Sequence, residues 1–224
     1  MDFIIENFLI VDCRNRTELS VYALLPNEKL DDKRSRTSGF FGGYDVDREF
    51  LAFIEEKFGS TAIQMIREHH NEQLQYMIDT FCRNVKFLFT GEWQNYKTYE
   101  LDLEEFCPVI KQYVTGEILD QLEEDEWIIE FKFEDVKKMF DPVIKKIIRL
   151  IRDHVNKFSD TIHSLILVGG FSESKYLQNR IQEEFSDIVE NIVVPPQPIA
   201  ATVRGGNYKI NWCILHIIDK DLIV

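Results

Sequence analysis

Seven of the ten glycines fall in three places, Gly39 with Gly42-Gly43, then Gly169-Gly170, then Gly205-Gly206. A glycine pair at a strand end lets backbone pass close to a ligand with no Cβ in the way. The N–H groups there, with the positive end of a following helix, favour an anion such as phosphate. Taken singly, each pair describes a tight turn just as well. Other candidates carry less. His69-His70 with Glu72 suggests a metal, but adjacent helical residues point about 100° apart and share no face. The run Glu123-Glu124-Asp125-Glu126 lacks the alternating ligands and glycine of a calcium loop, and His163-Ser164 has no spacing that makes a nucleophile pair. The sequence predicts no metal site.

The elements that must position the glycines follow from hydrophobic periodicity. Phe8 to Val11 and Leu19 to Tyr22 read as strands around a polar turn at Arg14-Asn15-Arg16, with a further turn at Pro26-Asn27-Glu28 and a charged loop from Asp31 to Arg36. Val46, Phe50, Phe53, Ile54 and Phe58 mark a helix that Gly59 stops. The next helical stretch, capped by Ser60 or Thr61, falters at Glu68 to Asn71 and reads as two helices with a bend. A hairpin is expected between Phe87 and Leu103, a helix over Glu104 to Tyr113, an acidic loop over Glu117 to Glu126, and a strand over Trp127 to Phe133. Phe140, Val143, Ile147, Ile148, Ile151 and Val155 predict a long amphipathic helix. Leu165 to Val168 is a strand apolar on both faces, followed by Gly169-Gly170, a helix from about Ser174, and a strand at Ile192 to Val194 before Pro195-Pro196. The class is α/β with a helical insertion between its β parts.

Bulk composition narrows the function. The 224 residues carry 26 Lys and Arg against 39 Asp and Glu, a net charge of −13. Such a surface repels a polyanion, so no nucleic-acid partner is expected. Cys13, Cys82, Cys107 and Cys213 lie far apart and read as reduced thiols, not as a disulfide or zinc framework. The start, Met1 to Glu6, is no signal peptide, and the apolar stretch from Trp212 to Val224 is interrupted by charges. A soluble, cytoplasmic protein with no membrane association is expected.

The order of the motifs points further. Leu165-Ile166-Leu167-Val168-Gly169-Gly170-Phe171-Ser172-Glu173-Ser174 resembles the adenosine-binding strand, Gly-Gly and helix signature of the heat-shock-protein-70 family. Its Phe171 and Glu173 are closest to the divergent twelve-type branch. Gly42-Gly43-Tyr44-Asp45-Val46-Asp47 is similar to the family's Gly-Gly-x-x-x-Asp segment. Phe133 through Val143 resembles the helix pair before the adenosine motif, Cys82 to Lys86 with Thr90 the adenine-contacting helix, and Pro198 to Gly205 the closing helix. Together they cover roughly residues 8 to 206. The resemblance implies the second lobe of an actin-like (ribonuclease-H-like) ATPase domain, with a mixed sheet and a mainly helical α+β insertion. It implies a core subdomain of residues 1–41 plus 156–210, an insertion of residues 42–155, and an unrelated tail of residues 211–224.

The same resemblance implies ATP or ADP with Mg as ligand and Gly42, Gly43, Lys86, Phe87, Thr90, Gly169 and Gly170 as nucleotide contacts. It also exposes departures. The family's first lobe has no counterpart before Phe8. Where its second phosphate loop reads Asp-x-Gly-Gly-Gly-Thr, this chain has Asp12-Cys13-Arg14-Asn15-Arg16-Thr17, and Glu18 arrives one position before the family's second aspartate. Arg83 and Glu173 stand where the family has a ribose-binding glutamate and an adenine-stacking arginine. The expectation is weak adenine-nucleotide binding with an incomplete ATPase site and no hydrolysis by the chain alone. Two alternatives stay open. One is an adaptor lobe that binds chaperone co-factors or other proteins without nucleotide. The other is a lobe completed as an ATPase by a second polypeptide.

Overall fold

The computed structural model describes residues 6–26 and 30–199. The expectations for Met1 to Ile5, for part of the turn at Pro26-Asn27-Glu28, for the closing helix from Ala200, for Gly205-Gly206 and for the tail lie outside the described residues. The chain divides into two compact units, residues up to Tyr44 with those from Pro142 onward, and Asp45–Asp141.

The first unit is built on a five-stranded sheet in the order β3-β2-β1-β6-β7. Strands β1 (Glu6–Cys13), β2 (Thr17–Leu24) and β3 (Leu30–Gly39) form an antiparallel meander. Strand β6 (Ser164–Val168) lies parallel to β1, and β7 (Asn191–Val193) parallel to β6. The sheet is therefore mixed. Every residue of β6 is buried, which is why Leu165 to Val168 form an unbroken apolar run. One apolar cluster unites Phe8, Ile10, Leu24, Ile166 and Val168, with Tyr22 and Leu30 packed against it. Helix α7 (Lys175–Phe185) buries Leu177, Ile181 and Phe185, and Ser174 caps it by accepting from the Leu177 N–H.

The charged segment expected to be a loop at Asp31 to Arg36 is instead part of β3. An edge strand tolerates charges because only one of its sides is paired. Here Lys33 and Arg36 sit beside Asp31 and Asp32 at 3.0 and 2.6 Å. The ladder with β2 is irregular between Ser20 and Tyr22, and Arg34 takes a positive φ of 54°.

The second unit is mainly helical. Helix α1 (Gly43–Phe58) enters it, and α2 (Ser60–His69) and α3 (Asn71–Phe81) follow, divided at His70. Gly59, not Ser60 or Thr61, occupies the cap position of α2. Its φ of 83° is open to glycine without strain. The hairpin expected between Phe87 and Leu103 does not form locally. Strand β4 (Tyr99–Asp102) pairs antiparallel with the distant β5 (Ile128–Phe131), and Trp93–Asn95 is a single 3-10 turn. The expected helix over Glu104 to Tyr113 is broken into α4 (Leu103–Phe106) and a 3-10 turn at Pro108–Gln112, since Pro108 has no backbone donor. The acidic loop is mostly helix α5 (Glu117–Glu124), with Leu122 buried. An aromatic core holds the unit together: Phe50 stacks on Phe81 at 4.3 Å, and Phe131 lies 5.8 Å from Phe50.

Helix α6 (Phe133–Lys157) is one continuous helix with Pro142 inside it, where the resemblance implied a pair. The α/β class and mixed sheet read from the sequence hold, and the architecture is consistent with an actin-like ATPase lobe.

Candidate functional site

In the first unit, the glycine loops meet the turn between β1 and β2. Asp12 pairs across the hairpin with Glu18, and Cys13 with Thr17. Directly opposed residues share a face, so Asp12 and Glu18 project together and Thr17 lies on the other side. Arg14 N–H donates to the Arg16 carbonyl at 3.0 Å. None of Arg14, Asn15 and Arg16 takes a positive φ, so the turn has been rebuilt in conformations open to ordinary side chains.

Its charges are paired. The Arg14 guanidinium grips Asp12 with both prongs, Nε to Oδ1 at 2.9 Å and Nη2 to Oδ2 at 2.6 Å. Arg16 forms an ion pair with Glu18. Burial pushes the Asp12 carboxyl above its ordinary value, against the pull of Arg14, and the negative charge of Glu18 adds to that rise. Thr17, matched by resemblance to a phosphate-loop threonine, is buried and donates its hydroxyl to the Phe41 carbonyl at 2.9 Å. Cys13 is buried beneath the turn, its thiol pushed up to about 12 by desolvation.

Gly42, Gly43 and Gly169 press against this turn. Gly43 N–H donates to the Arg14 carbonyl at 2.8 Å, and a Cβ on Gly42 would fall 2.1 Å from that oxygen. Gly169 sits at φ 89°, and a Cβ there would lie 2.4 Å from the Cys13 carbonyl oxygen and 2.6 Å from Asp12 Oδ1. Its N–H donates to Pro198 at 3.0 Å. Gly42 and Gly169 are thus required by the chain's own close packing. Gly170 is different: among the described residues its open side meets only Ile199 side-chain carbons, at 3.5 and 3.7 Å. A 3-10 turn, Gly170–Glu173, separates the pair from α7. The helix N-terminus therefore lies at Ser174, where the sequence placed it, one turn beyond the glycines.

The second unit holds Lys86, Phe87 and Thr90. Cys82–Lys86 is a π-helical turn that extends α3. The Lys86 side chain is 6 % exposed and bonds Asp47 Oδ1 at 2.6 Å, with its Nζ 5.8 Å from the Phe87 ring centre. Cys82 donates to the same Asp47 oxygen at 3.4 Å, and its thiol is pushed up to about 12, chiefly by burial. Asp47 was missed as a site residue, although it is the aspartate of the Gly-Gly-x-x-x-Asp segment. Thr90 accepts from the Glu92 N–H at 3.3 Å. Arg83 is exposed and donates to its own helix at the Asp79 carbonyl.

Among the described residues, no three His, Cys, Asp or Glu side chains gather as a metal site. His70 is bonded to the Tyr113 hydroxyl at 3.0 Å. No helix among the described residues is long and apolar enough to cross a membrane.

No family model matches the chain. It is 24 % identical over 213 residues to heat shock 70 kDa protein 12A of Homo sapiens, and 24 % identical over the same length to the Mus musculus protein of that name. Each match covers 90 % of this chain and 31 % of the relative, so the chain spans about a third of the length of the curated relatives it matches. This likeness, with the mixed sheet, supports a relationship to the Hsp70-like, actin-like ATPases and, at that coarse level, to their nucleotide-binding domain.

Proposed function

We propose that this chain is the second-lobe part of an Hsp70-like nucleotide-binding domain of the twelve-type branch, binding adenine nucleotide weakly and hydrolysing none on its own. In this reading the first unit is the core subdomain and Asp45–Asp141 the body of the insertion. The observation that carries it is Gly170, at the end of the fully buried strand β6, whose open side is bordered by apolar carbons of Ile199. Backbone without a Cβ beside an apolar side chain suits the flat face of a base or sugar. Gly169 supports it by holding that strand end against the β1–β2 turn, and the resemblance adds Gly42, Gly43, Lys86, Phe87 and Thr90 as further contacts.

The phosphate side fits less well. A magnesium-bound phosphate chain needs free carboxylate oxygens or open backbone N–H groups. Asp12 and Glu18 are held by Arg14 and Arg16, and the glycines of a phosphate loop are replaced by side chains. Positioning, which phosphoryl transfer demands, is lacking. The same pairs weigh against completion as an ATPase by a second polypeptide.

An adaptor role is the second reading, favoured by Leu88 and Trp93, which are 67 % and 66 % exposed in the second unit. Calorimetric titration with ADP and ATP, with and without magnesium, separates the two. Saturable heat with adenine nucleotide and no phosphate release supports the nucleotide reading. A folded protein that gives no heat up to millimolar nucleotide overturns it and leaves the adaptor.

A further inference from the structure

The β1–β2 turn carries a consequence for the ionic form of its ligand. Both oxygens of Asp12 accept from Arg14, at 2.9 and 2.6 Å, and Glu18 is paired with Arg16. A hard divalent cation binds through oxygens stripped of other donors, and here a fixed positive charge already occupies each carboxylate. The arginines are not consumed by this. Their side chains are 53 % and 58 % exposed. The fork on Asp12 engages two of the five N–H donors of Arg14, leaving the far edge of a guanidinium that Asp12 has locked in orientation.

We propose that this turn is a metal-independent anion site: Arg14, positioned by Asp12, and Arg16 meet the phosphates of a nucleotide that arrives without magnesium. Two built-in guanidinium groups then supply the neutralisation that a bound cation otherwise provides, through charge-assisted bonds to phosphate oxygens. Asp12 is a positioning residue here and not a ligand. That the anion is the phosphate chain of an adenine nucleotide rests on the reading above, whereas exclusion of metal from the turn does not.

The test uses the intact chain and two probes. In the first arm, ADP is titrated in excess magnesium and in EDTA. Affinity in EDTA at least equal to that in excess magnesium is expected, because magnesium sequesters the free nucleotide, with Arg14→Gln weakening binding in EDTA by about tenfold. Loss of about tenfold or more in wild-type affinity on removing magnesium overturns the proposal. In the second arm, Mn²⁺ binding to the nucleotide-free protein is followed by electron paramagnetic resonance. Asp12→Asn should leave wild-type Mn²⁺ binding unchanged, and Arg14→Gln should create a site that Arg14→Gln with Asp12→Asn abolishes. A wild-type Mn²⁺ site removed by Asp12→Asn overturns the proposal whatever ADP does. ADP that binds under neither condition sinks the nucleotide reading, and the Mn²⁺ arm still decides whether the turn excludes metal. Melting curves of each variant confirm that folding is retained.

Discussion

A Cβ on Gly42 would lie 2.1 Å from the carbonyl oxygen of Arg14, the same oxygen that accepts from the Gly43 N–H at 2.8 Å. The loop before α1 and the β1–β2 turn are thus fitted backbone to backbone, and no side-chain rotation can make room. Gly42→Ala should cost about 3 kcal/mol in urea denaturation. Among the described residues, Gly170→Ala meets only Ile199 carbons, at ordinary contact distance, and should change stability by about 0.5 kcal/mol or less. Equal costs for the two would contradict this division between packing glycine and open glycine.

Lys86 has a structural task as well as a proposed ligand contact. Removing it leaves Asp47 without its 2.6 Å partner in a largely enclosed place. Lys86→Ala should therefore destabilise by roughly 3 kcal/mol. Asp47→Leu combined with Lys86→Met should recover most of that loss, because both charges go together. A Lys86→Ala protein as stable as wild type would show that the pair contributes little.

His154, buried in α6, joins two hydroxyls of the edge strand: Thr37 Oγ1 at 2.9 Å from Nδ1 and Ser35 Oγ at 3.3 Å from Nε2. Desolvation, helped by Lys157, lowers its pKa below 6.5. Between that lowered value and 6.5 the unfolded chain binds more protons than the folded one, so stability rises with pH through the window and falls as pH drops. Melting temperature should fall between about pH 7.5 and pH 5.5, and His154→Asn should flatten that part of the profile. Asp12, whose pKa is raised, acts in the opposite sense, at and above its ordinary 3.8, and cannot mimic the loss. A profile unchanged by His154→Asn would refute the assignment.

Cys13, Cys82 and Cys107 have thiols raised to about 12, 12 and 11, each chiefly by burial. Thiolate is the reactive form, so all three should resist iodoacetamide at neutral pH and react fully in urea. Peptide mass spectrometry reads the difference. Fast labelling of Cys82 in the native protein would contradict the enclosure described for it.

Much of this was legible in the sequence because it rests on local pattern. The apolar run of β6, the helical spacing of α1 and the glycine pairs are properties of neighbours in the chain. What escaped was set by distant partners or by edges. Strand β4 pairs with β5, which lies beyond α4 and α5, so nothing around Tyr99 announces its register. Strand β3 reads as a loop because an edge carries charge as readily as a turn does. The acidic run of α5 hides a helix whose buried Leu122 is one apolar residue among many carboxylates. At the site, the Arg14–Asp12 fork depends on the turn folding tightly enough for residues two apart to face each other, and the Asp47–Lys86 pair spans 39 positions.

The most direct test of the central claim is hydrogen exchange of the backbone around Gly169-Gly170, measured with and without saturating ADP. Adenine-nucleotide binding at the end of β6 predicts slowed exchange in peptides covering Leu165 to Lys175, and the slowing should vanish in Gly170→Val. Exchange there that is identical with and without ADP, in a protein shown to be folded, would contradict a nucleotide site on this chain.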